Sequence, residues 1–500
     1  DGDITLTANQ GATQTTGSFD GIQLTNSTIQ TTNGAILLTG RGGTDATGNS
    51  DGVFVDSSTI RSTGTGTITL SGTATSGESS DGIDIDADDT PGTPSLITSV
   101  TGAILLTGSS AVDTGVEIQD GSVVSSTGTG ATAATVTIAG TSEEFGVYIG
   151  LSSGASGTTS VTSVDGAISI TGIAQNVVPI STAVWIEGGA QIASTGSGGD
   201  AATITISGTS GQFGTWIAEP GTTITSSVGD ISITGTGGDE AGISILDSAQ
   251  ISGDSSNITI VGTSTGAFGV DILDAGTSIT STGTSATAGN ISITGTGDTG
   301  VGIDAPVTSA DGTVTVTSGG GDIQFTADGD ITSASGTVTI DANTASSTAN
   351  IVMANGSVVD AGSAVIDVDA DVDITLGALS TTNTGTTAIT ITSSTGGVID
   401  GGDTDTDITA NNGTVVIDAV TGVGSTDAIE TQINTLDLDN IIGGNVDINE
   451  TDGIDINQLD QNAAGGTVNV DAGGTITVVD AQNGVTGTDG QVELDANGAA

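Results

Sequence analysis

Residues 166–172 read Gly166-Ala167-Ile168-Ser169-Ile170-Thr171-Gly172, and this stretch decides the fold. Side chains alternate faces along a strand, so Ile168 and Ile170 point one way while Ser169 and Thr171 point the other. The motif recurs along the chain. Its first apolar residue is Ile4, Ile36, Ile68, Ile104, Val136, Ile168, Ile204, Ile231, Ile258 and then Ile291. Successive members lie 27 to 36 residues apart. A constant motif at a varying interval describes a fixed structural turn with loops of different length.

Two more apolar signals fall between successive motifs. The second reads Ile22-Gln23-Leu24, Val53-Phe54-Val55, Ile83-Asp84-Ile85, Val116-Glu117-Ile118, Val147-Tyr148-Ile149 and Val184-Trp185-Ile186, often after Asp-Gly or Phe-Gly. The third is a single apolar residue ahead of Ser or Thr, as at Ile29, Ile60, Ile97, Val124 and Val161. Three short strands per coil predict an all-β, right-handed parallel β-helix, a β-solenoid, because the hexapeptide period of the left-handed kind is absent. Ile and Val are expected inside, Thr and Ser outside, and Gly and Asn are expected to supply positive φ at the corners. One coil cannot bury its inner face alone, so coils must stack. About 17 coils at about 4.8 Å each predict an elongated rod of about 80 Å. The reading divides the solenoid into 1–310 with long regular coils, 311–428 with shorter coils, and 429–500 with variant coils. Pro179, Pro220 and Pro306 are placed at corners or loops.

Composition points the same way. The chain has 82 Gly, no Cys, no His, 2% aromatic residues and a formal net charge of −57. A globular core of this size needs more bulky filling. Disorder is opposed by the alternation and by a charged fraction of only 12%. Arg41 and Arg61 are the only basic residues, so nucleic acid and anionic lipid are excluded as direct partners. No apolar run approaches a membrane span, and no stretch of the given sequence reads as a signal peptide. The start at Asp1 reads as a mature chain or a segment of a longer one. No polar cap is legible at either end, which predicts end-to-end stacking or a continuing chain.

Several residues stand out as candidate sites. Tyr148, Trp185 and Trp216 occupy the middle of the second strand in three successive coils, and Phe54 holds the same position earlier. Alternation turns them outward into a ladder suited to sugar rings or a partner fibre. A loop such as Ala174–Ser181 folding back over them accounts for the pattern equally. Phe145, Phe213 and Phe268, each before Gly, are expected to plug a corner from inside. Asp367, Asp369, Asp371 and Asp373 are expected on one face of one strand. Asp84, Asp86, Asp88 and Asp89 form a second acidic group, and Asp403, Asp405 and Asp407 a third. Stacked carboxylates repel unless cations lie between them, and Ca²⁺ suits all-oxygen ligands. The alternative is an acidic face screened by diffuse salt. A Thr/Ser ladder on the first strand (Thr5, Thr7, Thr69, Ser71, Thr137, Ser169, Thr171) is read as the favoured neutral outward residue.

The Gly-x-Ile-x-Ile-x-Gly coils and the late stretch NTLDLDNIIGGNVDINETDGIDI resemble the filamentous-haemagglutinin-like proteins and other large repetitive bacterial surface proteins of the adhesin or autotransporter-passenger type. The resemblance covers essentially the whole chain. It implies an extracellular, cell-surface location and adhesive or structural display. The expected function is a structural fibre or surface filament that associates with itself; the alternative is an adhesin that binds glycans or a partner surface through the aromatic strip. An enzyme is not expected. Lyases of this fold need a basic residue, and although two carboxylates suffice for a polysaccharide hydrolase, no pair is marked out.

Overall fold

The computed structural model describes residues 2–496 except 46–47, 78, 88–92, 153–155, 176–180, 285–286, 344–347, 463, 480–484 and 488–489. Asp88, Asp89, Pro179 and most of the Ala174–Ser181 loop therefore lie outside the described residues. The chain is a parallel β-solenoid with no α-helix among the described residues. It divides into two compact units, Asp1–Ser278 and Ile279–Ala500. That division falls before residue 310, where the coil spacing suggests a change.

In the first unit each coil contributes three strands, and every strand pairs with its counterpart one coil on. The first-face column runs Ile4, Ile36, Ile68, Ile104, Val136, Ile168, Ile204, Ile231, Ile258 in unbroken register. The second-face column runs Ile22, Val53, Ile83, Val116, Val147, Val184, Thr215, Ile243, Val270. From Ile36 on, nearly all of these aliphatic residues are fully buried and stack on their like neighbours. The register is well specified because a one-residue slip would turn the whole column out to solvent.

Small residues do more than the sequence pattern predicts. The glycine that closes the first-strand motif is required by close approach. A Cβ on Gly140 would lie 1.8 Å from the carbonyl oxygen of Gly146, where first and second strands meet. Left-handed backbone falls at the other corners as expected, on glycines such as Gly121, Gly188, Gly221 and Gly276 and also on Asn26, Ser57, Asp120 and Glu219. Nor do all hydroxyls face out. Ser58, Ser95, Thr159, Thr222 and Thr277 are buried, and each accepts a hydrogen bond from a backbone N–H one coil away, at 2.9 to 3.1 Å. An inward hydroxyl at that corner satisfies a donor that the strand ladder leaves over.

In the second unit the coils are shorter and strands merge. Ile291–Ile303 combines first and second strands, with register shifts where it bends against Val314–Phe325. The inward column of this unit runs Ile291, Val314, Val338, Ile366, Ile389, Val415, Leu436, Ile456. Merging removes a corner, which shortens the coil. Pro306 sits between Ile291–Ile303 and Val307–Ser309, and Pro220 in a turn, as expected.

Candidate functional site

The outer side of the second face in the first unit carries an acidic group followed by an aromatic group. The acidic group begins at the Asp-Gly dipeptides. Asp20 Oδ1 accepts the backbone N–H of Asp51 at 3.0 Å, Asp51 Oδ1 that of Asp81 at 2.8 Å, and Asp81 Oδ1 that of Thr114 at 2.9 Å. A second column lies three residues further along each strand, where Phe54, Asp84, Glu117, Tyr148, Trp185 and Trp216 pair in register.

Where the two columns meet, Asp81, Asp84 and Glu117 each place a carboxylate oxygen within 4.8 Å of the others. Asp84 retains only 5% of its exposure, and its Oδ1 is enclosed without a hydrogen-bond partner. Burial is the main reason that all the nearby acids hold protons tightly. It pushes Asp51 up to about 8, with repulsion from Asp81 adding to it. It pushes Asp81 up to about 7, with repulsion from Asp113. Asp84 and Glu117 lie well above the usual carboxylate range, again through burial and then their acidic neighbours. Asp20 and Asp113 are also raised by burial. Neither basic residue relieves the group: the Arg41 side chain donates to the carbonyls of Asn9 and Gly11, and Arg61 to Gln30.

The aromatic group occupies the next three coils. Trp185 meets Phe145 at 5.1 Å, Tyr148 at 6.0 Å and Trp216 at 6.3 Å between ring centroids, and Phe213 meets Trp216 at 4.7 Å. All four contacts are edge-on, with planes inclined by 61° to 85°. The rings thus interlock and are half-buried, in place of the flat exposed strip that alternation predicts. Phe145 and Phe213 belong to this outer cluster and do not plug a corner from inside; Phe268 is likewise only half-buried. The bend at Gly146 brings positions 145 and 148 to the same side. Glu187 collects the polar edges: the Tyr148 hydroxyl reaches its Oε1 at 3.0 Å and the Trp185 indole N–H its Oε2 at 2.7 Å. Burial pushes the Tyr148 hydroxyl and the Glu187 carboxyl up. Phe54 lies apart, half-buried in line with Asp84.

The remaining acidic candidates separate. Asp86 is buried, in register with Asp56. The strand Ile366–Ala370 ends before Asp371, so the four aspartates do not share one strand face. Asp367 and Asp369 are half-buried on the strand, whereas Asp371 is buried at the corner and Asp373 accepts the Gly397 N–H at 2.8 Å. Asp407 joins Asp400 and Glu430, the three offering oxygens within 4.8 Å of one another. Asp405 is exposed, and Asp403 accepts its backbone N–H.

Pairing Asp84 with Glu117 is visible in the sequence in principle, since the alignment that stacks Tyr148 on Trp185 also stacks these two. Their enclosure is not. A glycoside-cleaving pair must flank an open sugar site with about 5 Å or more between carboxyls, and the buried Asp81 and Asp84 do not offer one. No family model matches this chain, and neither a curated protein nor a solved structure matches it.

Proposed function

We propose that this chain is an extracellular structural element that associates side by side with copies of itself, in the manner of the filamentous-haemagglutinin-like surface proteins it resembles. The observation that supports this is the first face of the first unit. Its strands, from Ile4–Ala8 to Ile258–Thr263, contain a single charged residue, Arg41, in a chain of net charge −57. Their outward positions are Thr and Ser with exposed Leu37, Leu105, Ile173 and Val261 among them. Two such molecules repel over most of their surface, and this is a face on which they can approach without stacking like charges.

Sedimentation and electron microscopy of the full chain test the reading. Association should strengthen as salt rises from 0.1 M to 1 M and the screening length falls from about 10 Å to about 3 Å. The pair Thr137→Asp and Thr205→Asp should keep the chain monomeric throughout. A monomer at every salt concentration, or association untouched by the pair, would overturn it.

A second reading is adhesive, and rests on the concentration of both Trp residues and the sole Tyr in one outward cluster. Trp185→Ala with Trp216→Ala should then abolish glycan or partner binding while assembly persists. Binding unaffected by the double change removes this reading.

A further inference from the structure

We propose that Asp81, Asp84 and Glu117 form a binding site for one divalent cation, Ca²⁺ by chemistry, that ties two successive coils of the first unit together. Asp81 and Asp84 belong to one coil and Glu117 to the next. Their oxygens lie within 4.8 Å of one another, which matches ligands around a single Ca²⁺ at 2.3–2.6 Å from each. The donor set is oxygen only, and the chain has neither His nor Cys to attract a softer metal.

Geometry alone would describe any acidic cluster. Asp84 distinguishes this one. It is 95% enclosed and its side chain reaches the other two carboxylates; Gln119 bonds the carboxyl, yet Oδ1 is left without a hydrogen-bond partner. A buried acceptor left over in this way is destabilising, more so if charged. Asp113 stands beside Asp81 and adds to the acidity of the site, while both Arg side chains are directed elsewhere. A cation satisfies the orphaned oxygen and removes the repulsion together. Protonation is the competing solution, since the same burial and repulsion that attract a cation also hold protons on these groups.

Terbium luminescence separates the two. Glu117 pairs with Tyr148 in the next coil, about 4.8 Å away along the stack. Every Trp and Tyr lies between residues 148 and 216, in the unit that holds this site, and the Asp84 and Glu117 variants below assign the sensitised emission to it. Full-length chain titrated with Tb³⁺ at pH 7.5 should emit on excitation at 280 nm, and Ca²⁺ should displace the signal with a Kd below about 1 mM. Asp84→Asn with Glu117→Gln should weaken that binding at least tenfold and abolish the rise in melting temperature that Ca²⁺ gives the parent chain. These amides remove repulsion, so the variant is expected to fold; circular dichroism checks this, and Glu117→Gln alone decides if it does not. Absence of emission displaced by Ca²⁺, or equal Ca²⁺ stabilisation of parent and variant, overturns the site. A variant more stable than the parent but with Ca²⁺ inert on both identifies protonation as the solution and overturns it equally.

Discussion

Asp51 Oδ1 accepts the backbone N–H of Asp81 at 2.8 Å, and the two carboxyls stand one above the other in successive coils. Like charges at this spacing repel, yet each carboxyl satisfies a buried backbone donor in the coil beyond. Burial with repulsion moves Asp51 up to about 8, so at neutral pH it accepts that bond largely in its protonated form. The corner is therefore joined by side chains where strand pairing has stopped.

Asp51→Asn keeps an acceptor and drops the charge, whereas Asp51→Ala strands the Asp81 N–H. Chemical denaturation near pH 3.5, below the ordinary aspartate value, should show Asn within about 0.5 kcal/mol of the parent and Ala destabilised by about 1–3 kcal/mol. Equal losses would show that the hydrogen bond contributes nothing.

Glu450 supplies a pH dependence in the second unit. It is buried and accepts from the Thr431 hydroxyl at 2.8 Å and the Ile433 N–H at 3.2 Å. Burial raises it from 4.5 to about 7. The folded chain thus keeps a proton that the unfolded chain has released, and stability is lost as pH rises from about 4.5 to about 7. Glu450→Gln should match the parent at pH 4.5 and exceed it by about 2–3 kcal/mol at pH 8. Melting curves over this range check it; parallel profiles for the two chains would contradict the burial argument.

Gly140 has no room for a side chain against Gly146. Gly140→Ala should cost several kcal/mol or prevent folding, because the obstruction is backbone that cannot rotate away. Gly198→Ala, with nothing within 4 Å of its Cβ, should stay within about 0.5 kcal/mol. Denaturant midpoints of the two variants provide the comparison.

Tyr148 and Glu187 should couple. Tyr148→Phe and Glu187→Gln each loosen one bond of the cluster, and a double-mutant cycle should return about 0.5–1.5 kcal/mol of interaction. The cycle is read by denaturation followed through Trp185 and Trp216 fluorescence. An interaction of zero would make the contact incidental.

Much of this architecture is legible in the sequence. The apolar residues picked out by the motif, Ile4 through Ile258, are the residues that stack, because period-two alternation is a local property and inward burial has one solution per strand. The alignment of Tyr148, Trp185 and Trp216 follows from the same columns. Their inclination does not, since Phe145 and Phe213 turn outward only because the chain bends at the following glycine. The four aspartates from Asp367 to Asp373 depart from expectation for a similar reason: alternation continues through them in sequence, but the strand stops at Ala370 and the corner redirects the rest.

By itself, the sequence determined the coil, its inward columns and its acidic, cation-poor surface, because those depend on residue type and spacing along one strand. The tertiary structure alone decided which acids are enclosed together. Asp81, Asp84 and Glu117 meet because two coils stack in a given register, and burial, which no local pattern encodes, is what turns three ordinary carboxylates into a candidate site.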